Sequence, residues 1–485
     1  MFFSVYTLGC KLNQLETEAI TDSFCREGFT PVPWGSSDLR SMEPVGSLEP
    51  SILIINTCTV TSMAEQKARR ILRKALRDNP GACLIVTGCY AQMDRAALEE
   101  EFLPVSGTAS CYPGRLFIIP GDNKDRILDL PGFLKKAGCF DRYALPELIT
   151  TWLAGLMDQA DSSVDAADGR FRFEPKNFAV HSRAFLKIQD GCDRCCSYCR
   201  VSLARGKSSS LGAEEVLKRL ILLEQRGFCE AVLTGVNISL YHDSKRGLSE
   251  LLDFLLKRTE KIRLRLSSIE PESGGLGDGF IKVLENKRIR PHFHLSVQSG
   301  SAAILSKMGR SYAPEDVMKT TEQIRSIRED PFLACDIITG FPGESAGDFE
   351  ETADLCGQIG FAWIHAFPFS PRPGTAAYGF SGKVSERDSV KRVETLNEIA
   401  RKGRREYISR WEGRQVEAVV EASDTDHPGE GRPVVPGVSE NYLKLLIDYG
   451  NEPIPATGSL LVCRIGEFLA NSRYDARSEM VSSFV

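Results

Sequence analysis

Three short apolar segments in the first 90 residues each end on a cysteine: "FFSVYTLGC" at Cys10, "SILIINTC" at Cys58 and "ACLIVTGC" at Cys89. Two segments of helical pattern separate them, "NQLETEAITDSFCREG" and "SMAEQKARRILRKALRDNP". Strand, helix, strand, helix, strand is the order of a parallel α/β sheet, because parallel neighbours need a crossover long enough to hold a helix. The carboxyl ends of the strands then lie along one edge, where ligands bind. Cys10, Cys58 and Cys89 are therefore expected near one another despite their separation in sequence. A lone cysteine is most often a small buried hydrophobe, and Cys25, Cys83, Cys111 and Cys139, which lack the strand-end placement, are read that way. For the three strand-end cysteines, core packing and ligand binding both stay open at this point.

A second α/β series begins near residue 181. Its candidate strands are "AFLKIQ", "CEAVLTGV", "IRLRLSS", "HFHLSVQ", "ACDIITG" and "WIHAFPF", with helical patterns such as "GAEEVLKRLILLEQRG" between them. Six βα units predict a partial (β/α)6 TIM-like barrel, a fold that places chemistry at the strand carboxyl ends. Residues 143–180 are expected to link the two series: "LPELITTWLAGLMDQ" has an amphipathic helical pattern, and "ADSSVDAADG" reads as a flexible acidic stretch. Near residue 400 the texture changes to the basic "RKGRREYISRWEGR" and then to the alternating segments "QVEAVVEA", "YLKLLIDY" and "SLLVCRIGEF". These predict a small antiparallel β-barrel or sandwich. The expected divisions are 1–142, a linker 143–180, 181–408 and 411–475.

The 485 residues leave room for about three domains. A formal net charge of −5 excludes a uniformly basic nucleic-acid binder but not a local basic patch. No apolar run approaches the roughly 20 residues of a membrane span. The start "MFFSVYTLGC" lacks the basic flank of a signal peptide, so a cytoplasmic protein without a membrane partner is expected. The 15 cysteines are odd in number and scattered, unlike a disulfide framework. In a reducing compartment, clustered thiols point to metal or redox chemistry.

The densest cluster is "DGCDRCCSYCR", residues 190–200, with Cys192, Cys195, Cys196 and Cys199. As two C-x-x-C pairs it could bind zinc or work as a redox pair. Zinc sites of two pairs, however, usually separate them by roughly a dozen residues or more. As C-x-x-x-C-x-x-C, the thiolates of Cys192, Cys196 and Cys199 suit a four-iron cluster with one iron left open, and Cys195 is a spare.

With Tyr198 before its last cysteine, this motif resembles that of the radical S-adenosylmethionine (SAM) enzymes. The context "FLKIQDGCDRCCSYC", followed by "ARG", is similar to the methylthiotransferase branch of that superfamily. The resemblance covers almost the whole chain, through "TLGCKLNQLETEA", "NTCTVT", "VTGCYAQ", "LTGVNI", "RLRLSSIEPE", "HLSVQSGS", "DIITGFPGE" and "FPFSPRPGT". It implies two [4Fe-4S] clusters. One, on Cys192, Cys196 and Cys199, binds the amino and carboxylate groups of SAM through its open iron. The other, on Cys10, Cys58 and Cys89, holds the sulfur that is methylated and transferred. One electron then cleaves SAM to a 5′-deoxyadenosyl radical, which takes hydrogen from an unactivated carbon, and a second SAM supplies the methyl group. The resemblance also implies SAM contacts: Tyr198 near the adenine, Thr234, Gly235 and Asn237 near the methionyl end, and Gln298 near the ribose, with Ile338 and Gly340 flanking the adenine. Glycines after strands also serve as turn residues, and Asn237 could instead cap a helix.

The C-terminal segment resembles the TRAM domain, a small β-barrel that binds RNA, and the basic run before it either adds phosphate contacts or is a solvated helix face. "GCKLNQLETE" with "NTCTVT" resembles the MtaB-type branch, which acts on N6-threonylcarbamoyladenosine beside the tRNA anticodon. Other branches act on N6-isopentenyladenosine, with a "GCQMN" start, or on a ribosomal-protein aspartate, with "GCPKN". Lys11, Asn13 and Gln14 carry that distinction. The implied partners are the anticodon stem-loop of tRNA, an electron donor such as flavodoxin or ferredoxin, and a sulfur source. An RNA-binding iron–sulfur protein without catalysis is the alternative from a different class. Three departures from the family pattern are visible: Cys195 itself, "CRVSLARG" in place of "CIIPYARG", and a long linker.

Overall fold

The computed structural model describes residues 1–34, 49–103, 114–138, 141–158, 169–176, 178, 182–422, 434–469 and 474–483. Cys111, Cys139 and the acidic stretch 160–168 lie outside the described residues. The chain forms two compact units. The first comprises Met1–Val180, Asp190–Asp193 and Arg200–Ser209; the second comprises His181–Gln189, Arg194–Cys199 and Ser210–Val485.

The first unit is built on a parallel sheet of β1 (Phe2–Thr7), β2 (Thr30–Pro31), β3 (Ile52–Thr57), β4 (Cys83–Gly88) and β5 (Leu116–Ile118), in the order β2-β1-β3-β4-β5. β3 and β4 are buried along their whole length, which is why they read as unbroken apolar runs. Alternate side chains feed two cores. Phe3, Ile52, Ile54 and Ile85 pack against Ile20 and Phe24 of α1 (Lys11–Arg26). Tyr6, Leu53, Ile55, Leu84 and Val86 pack against Ala68, Leu72 and Leu76 of α2 (Ser62–Asp78). Thr61 starts α2 by accepting the Ala64 N–H at 3.1 Å. The short α3 (Cys89–Met93) follows β4 directly. The helix expected in the linker forms as α4 (Leu145–Asp158), and its Leu145, Ile149 and Trp152 belong to the α1-side core. A further turn, α5 (Val201–Arg205), also belongs to this unit.

The second unit contains all six strands expected of the partial barrel: β6 (Ala184–Lys187), β7 (Glu230–Thr234), β8 (Arg263–Leu266), β9 (His292–Gln298), β10 (Phe332–Thr339) and β11 (Trp363–Pro368). They pair in parallel as two triplets, β6-β7-β8 and β9-β10-β11. The parallel bridges Leu264↔Ile289 and Ile269↔Leu295 join the triplets, so the strands run side by side in chain order. After α6 (Glu386–Ser409) the chain closes a small barrel of β12 (Gln415–Val420), β13 (Val434–Ser439), β14 (Lys444–Asp448), β15 (Leu460–Phe468) and β16 (Ala476–Ser483). Its pairings are antiparallel except β14 with β16. A buried ionic group ties this barrel to the amino ends of the parallel strands. Arg265 and Arg290 hold Glu230 at 2.6 and 2.8 Å, and Arg290 also reaches Glu417 on β12 at 2.6 Å. Among the described residues no helix is long and apolar enough to cross a membrane.

Candidate active site

Cys10, Cys58 and Cys89 follow β1, β3 and β4, three adjacent strands of the first sheet. Cys10 is the residue before α1 and is exposed, Cys58 is buried, and Cys89 opens α3 and is partly buried. Two glycines make the turns possible. Gly9 has φ +115°, and a Cβ there would lie 2.8 Å from Cys58 Cβ and 3.1 Å from its Sγ. Gly88 has φ +98°, and a Cβ there would lie 2.3 Å from the Thr57 carbonyl oxygen. The Gly9 backbone therefore approaches Cys58, and the Gly88 backbone the preceding Thr57, more closely than a side chain would allow.

Polar groups brace these ends. Asn13 donates to the carbonyls of Leu8 at 2.7 Å and Thr57 at 3.1 Å, and Asn56 donates to the Asn13 carbonyl at 3.1 Å. Asn13, one of the three residues carrying the branch resemblance, is thus a buried brace. On α5, Arg205 donates to Asn13 Oδ1 at 2.9 Å and pairs with Glu16 at 3.0 Å and Asp190 at 3.2 Å. Burial pushes the Cys58 thiol up to about 11, with Cys10 and Cys89 adding to the rise and the Val60 N–H and Arg205 opposing it. A thiolate at Cys58 therefore needs positive charge beside it, as iron would supply. Among the described residues no three Cys, His, Asp or Glu side chains converge on a single-ion site; a cluster places iron and sulfide of its own between the thiolates. Three thiols at one sheet edge, with the Gly9 backbone against Cys58 and Arg205 nearby, fit such a group.

Of the second cysteine set, Cys192 falls within Asp190–Asp193 of the first unit, and Cys196 and Cys199 within Arg194–Cys199 of the second. The Cys192 N–H donates to the Gly206 carbonyl at 3.0 Å. In the second unit the Cys199 N–H donates to the Cys196 carbonyl at 3.1 Å, and the Ser197 N–H to the Met308 carbonyl at 3.0 Å. Gly309, at φ +75°, lets its loop pass the Cys195 carbonyl, where a Cβ would stand 3.2 Å away. Burial raises the Cys196 thiol, and Arg310 opposes that rise most among the nearby groups. Cys195 is exposed.

A polar network surrounds Cys196. Buried Glu270 accepts from Arg310 at 2.6 Å, Arg194 at 2.9 Å and Asn237 Nδ2 at 3.0 Å, and Arg310 also donates to the Tyr198 hydroxyl at 2.6 Å. The Nε of Arg310 is buried and makes no hydrogen bond among the described residues. Tyr198 packs with Ile304, Met308, Ile338 and Phe341, meeting the Phe341 ring edge-on at 6.4 Å. The structure thus brings Tyr198, Asn237 and Ile338 to one region beside Cys196. Glu270 and Arg310 were not singled out in the sequence. Glu270 lies within "RLRLSSIEPE", but a buried carboxylate looks like any other acidic residue until its partners are known.

The remaining expected SAM residues divide. Thr234 ends β7 and is buried. Gln298 ends β9 with φ +67° at an irregularity in the β9–β10 register, an uncommon conformation for a non-glycine residue. Asn237 caps the turn Ile238–Leu240 through the Ser239 N–H at 3.2 Å and also joins the network through Nδ2. Gly235 and Gly340 sit at close approaches: a Cβ on Gly235 would lie 2.8 Å from Gln189 Oε1, and one on Gly340 would lie 1.9 Å from Ser389 Oγ on α6.

Residues 3–107 match the family described as "Uncharacterized protein family UPF0004", and residues 186–356 match the radical SAM superfamily. The chain is 38% identical to the threonylcarbamoyladenosine tRNA methylthiotransferase MtaB of Treponema pallidum, over 91% of this chain and 94% of that protein. It is 32% identical to the protein of the same name from Thermotoga maritima, over 86% of each. The tRNA-2-methylthio-N(6)-dimethylallyladenosine synthase of Geobacillus kaustophilus is 28% identical, over 88% of this chain and 74% of that protein.

Proposed function

Because the chain belongs to the MtaB family of threonylcarbamoyladenosine tRNA methylthiotransferases, we propose that it adds a methylthio group to C2 of N6-threonylcarbamoyladenosine 37, next to the tRNA anticodon. Such an enzyme is a sulfur-group transferase of the radical SAM kind. SAM and two [4Fe-4S] clusters, when bound, supply the radical and the sulfur that acid–base groups alone cannot provide at an aromatic C–H.

The chain's own residues hold and orient these groups. Cys192, Cys196 and Cys199 are assigned to one cluster and Cys10, Cys58 and Cys89 to the other. Tyr198 and Ile338 offer an apolar wall for the adenine. Thr234, Gly235 and Asn237 border the methionyl end, where Glu270 can accept from an ammonium group and Arg310 can donate to a carboxylate. Gln298 is assigned to the ribose, and Gly340 keeps its loop against α6. Arg205 places positive charge near Cys58, which favours its thiolate. The closed barrel after α6 is read as the TRAM-type RNA-binding module, with phosphate contacts added by the basic run around residue 405. An electron donor such as flavodoxin or ferredoxin and a sulfur source complete the proposed partners, and a tRNA substrate supports a cytoplasmic location.

The observation that carries this reading is the pair of three-cysteine sets in one chain, one of them at three adjacent strand ends. The test is mass spectrometry of tRNA nucleosides from a deletion strain. Threonylcarbamoyladenosine should accumulate without its 2-methylthio form, and complementation should restore that form. An unchanged level of the 2-methylthio nucleoside in the deletion strain would overturn the substrate.

A further inference from the structure

Three titratable side chains in the parallel barrel have no part in the assignments above. His294 on β9, Asp336 on β10 and His365 on β11 form a row across three neighbouring strands. His294 Nε2 lies 3.0 Å from Asp336 Oδ2, and His365 Nδ1 lies 3.1 Å from Asp336 Oδ1. Each carboxylate oxygen therefore faces its own imidazole.

The row faces inward. Cys335 is fully buried and faces Cys356, likewise buried, of the helix Ala346–Ile359 on the outside of β10. Side chains alternate along a strand, so Asp336 points to the opposite face, together with Ile338. Ile338 packs with Tyr198, Phe341 and Phe367. On β11, Ile364 is buried, while His365 shares the face of Phe367, whose ring lies 5.2 Å away. His365 is thus two residues below the apolar wall assigned to adenine, on the last strand of an open barrel.

A histidine kept only for packing would be covered, but the His365 side chain is 63% exposed. Burial alone would raise the Asp336 carboxyl, yet the two imidazoles hold it well below the usual range, so it stays ionised. The hydrogen bond to Asp336 in turn raises His365. A carboxylate that fixes one ring nitrogen leaves Nε2 directed away from it, and a protonated Nε2 can only donate. The arrangement suits an anionic partner inside the barrel.

We propose that His365, oriented by Asp336, binds the carboxylate of the threonylcarbamoyl group. This rests on the proposed substrate and deepens it: that carboxylate is absent from the isopentenyl group of the related substrate, so His365 would be a residue that tells the two apart. Asp336 is a positioning residue, acting through His365.

The test measures binding and needs no turnover. Anticodon stem-loop RNA carrying threonylcarbamoyladenosine, and the same RNA with that carboxylate as its methyl ester, are titrated into reconstituted wild type, His365→Ala and Asp336→Asn. Wild type should prefer the acid by roughly tenfold, the scale of one charge-assisted hydrogen bond at a partly exposed site. His365→Ala should bind both RNAs alike, with its loss falling on the acid, and Asp336→Asn should reduce the preference. Wild-type iron content and melting temperature establish that the variants are folded. A His365→Ala protein that keeps the acid preference, or a wild type that shows none, would overturn the inference. Failure of wild type to methylthiolate the acid RNA would instead count against the proposed reaction, since the binding ratio is read separately.

Discussion

At the scale of single residues, the four-cysteine stretch resolves into different environments. Cys195 is exposed, whereas Cys196 is partly buried beside Arg310 and Glu270. Cys196→Ala should therefore abolish reductive SAM cleavage, while Cys195→Ala should leave it within about twofold of wild type, as measured by 5′-deoxyadenosine release. The departure "CRVSLARG" acquires a physical meaning at Arg200. Its buried guanidinium pairs with Glu65 at 3.0 Å and Asp94 at 2.9 Å and donates to Thr59 at 3.2 Å, all in the first unit. An isoleucine could make none of these bonds. Arg200→Met would leave buried Glu65 and partly exposed Asp94 without this partner; since Glu65 keeps the Thr59 hydroxyl and Asp94 reaches solvent, the expected cost is about 2 kcal/mol rather than the larger loss of a fully buried pair. A urea midpoint that does not move would disprove it. The sequence displayed the thiols but not these charges, because an arginine's burial depends on where distant acids end up.

At the scale of elements, the apolar strands were legible and the polar ones were not. β3 and β4 announce themselves because both faces are covered. β13, "VVPGVS", and β16, "ARSEMVSS", escaped notice because one carries proline and glycine within it and the other is mostly polar. Closure of the barrel makes them strands, and β16 lies wholly beyond residue 475. Truncation after residue 475 should strip the partner from one edge each of β14 and β15, expose unpaired backbone and cause aggregation visible by size-exclusion chromatography. The turn from β4 into α3 offers a second element-level test. Gly88→Ala would place a Cβ 2.3 Å from the Thr57 carbonyl at φ +98°, so Cys89 should shift. Reconstituted iron should fall from about eight to about four per chain, with SAM cleavage retained. Full iron loading of this variant would count against Cys89 as a ligand.

At the scale of the whole molecule, stability should respond to acid through the ionic group joining the small barrel to the parallel strands. Burial opposes ionisation of Glu230, but Arg265 and Arg290 outweigh it and bring the carboxyl down from 4.5 to about 2. A carboxyl depressed on folding contributes its full stabilisation above the unfolded value and loses it as pH falls towards the folded one. The window is therefore pH 4.5 to 2. Glu230→Gln should lower stability at neutral pH and flatten that part of the acid profile; a profile of unchanged slope would show that other groups govern it. The sequence by itself determined the alternation of strands and helices, the three cysteines at equivalent strand ends, the compact cysteine motif and the six-strand series. Periodicity, spacing and chain order are local properties, and they suffice for those features. Only the tertiary structure decided which charges are buried together: Arg200 with Glu65 and Asp94, Glu270 with Arg310, and Asp336 between two histidines. The reason is that a buried charge is tolerated only where a partner from elsewhere in the chain meets it, and hydropathy records the charge but not the meeting.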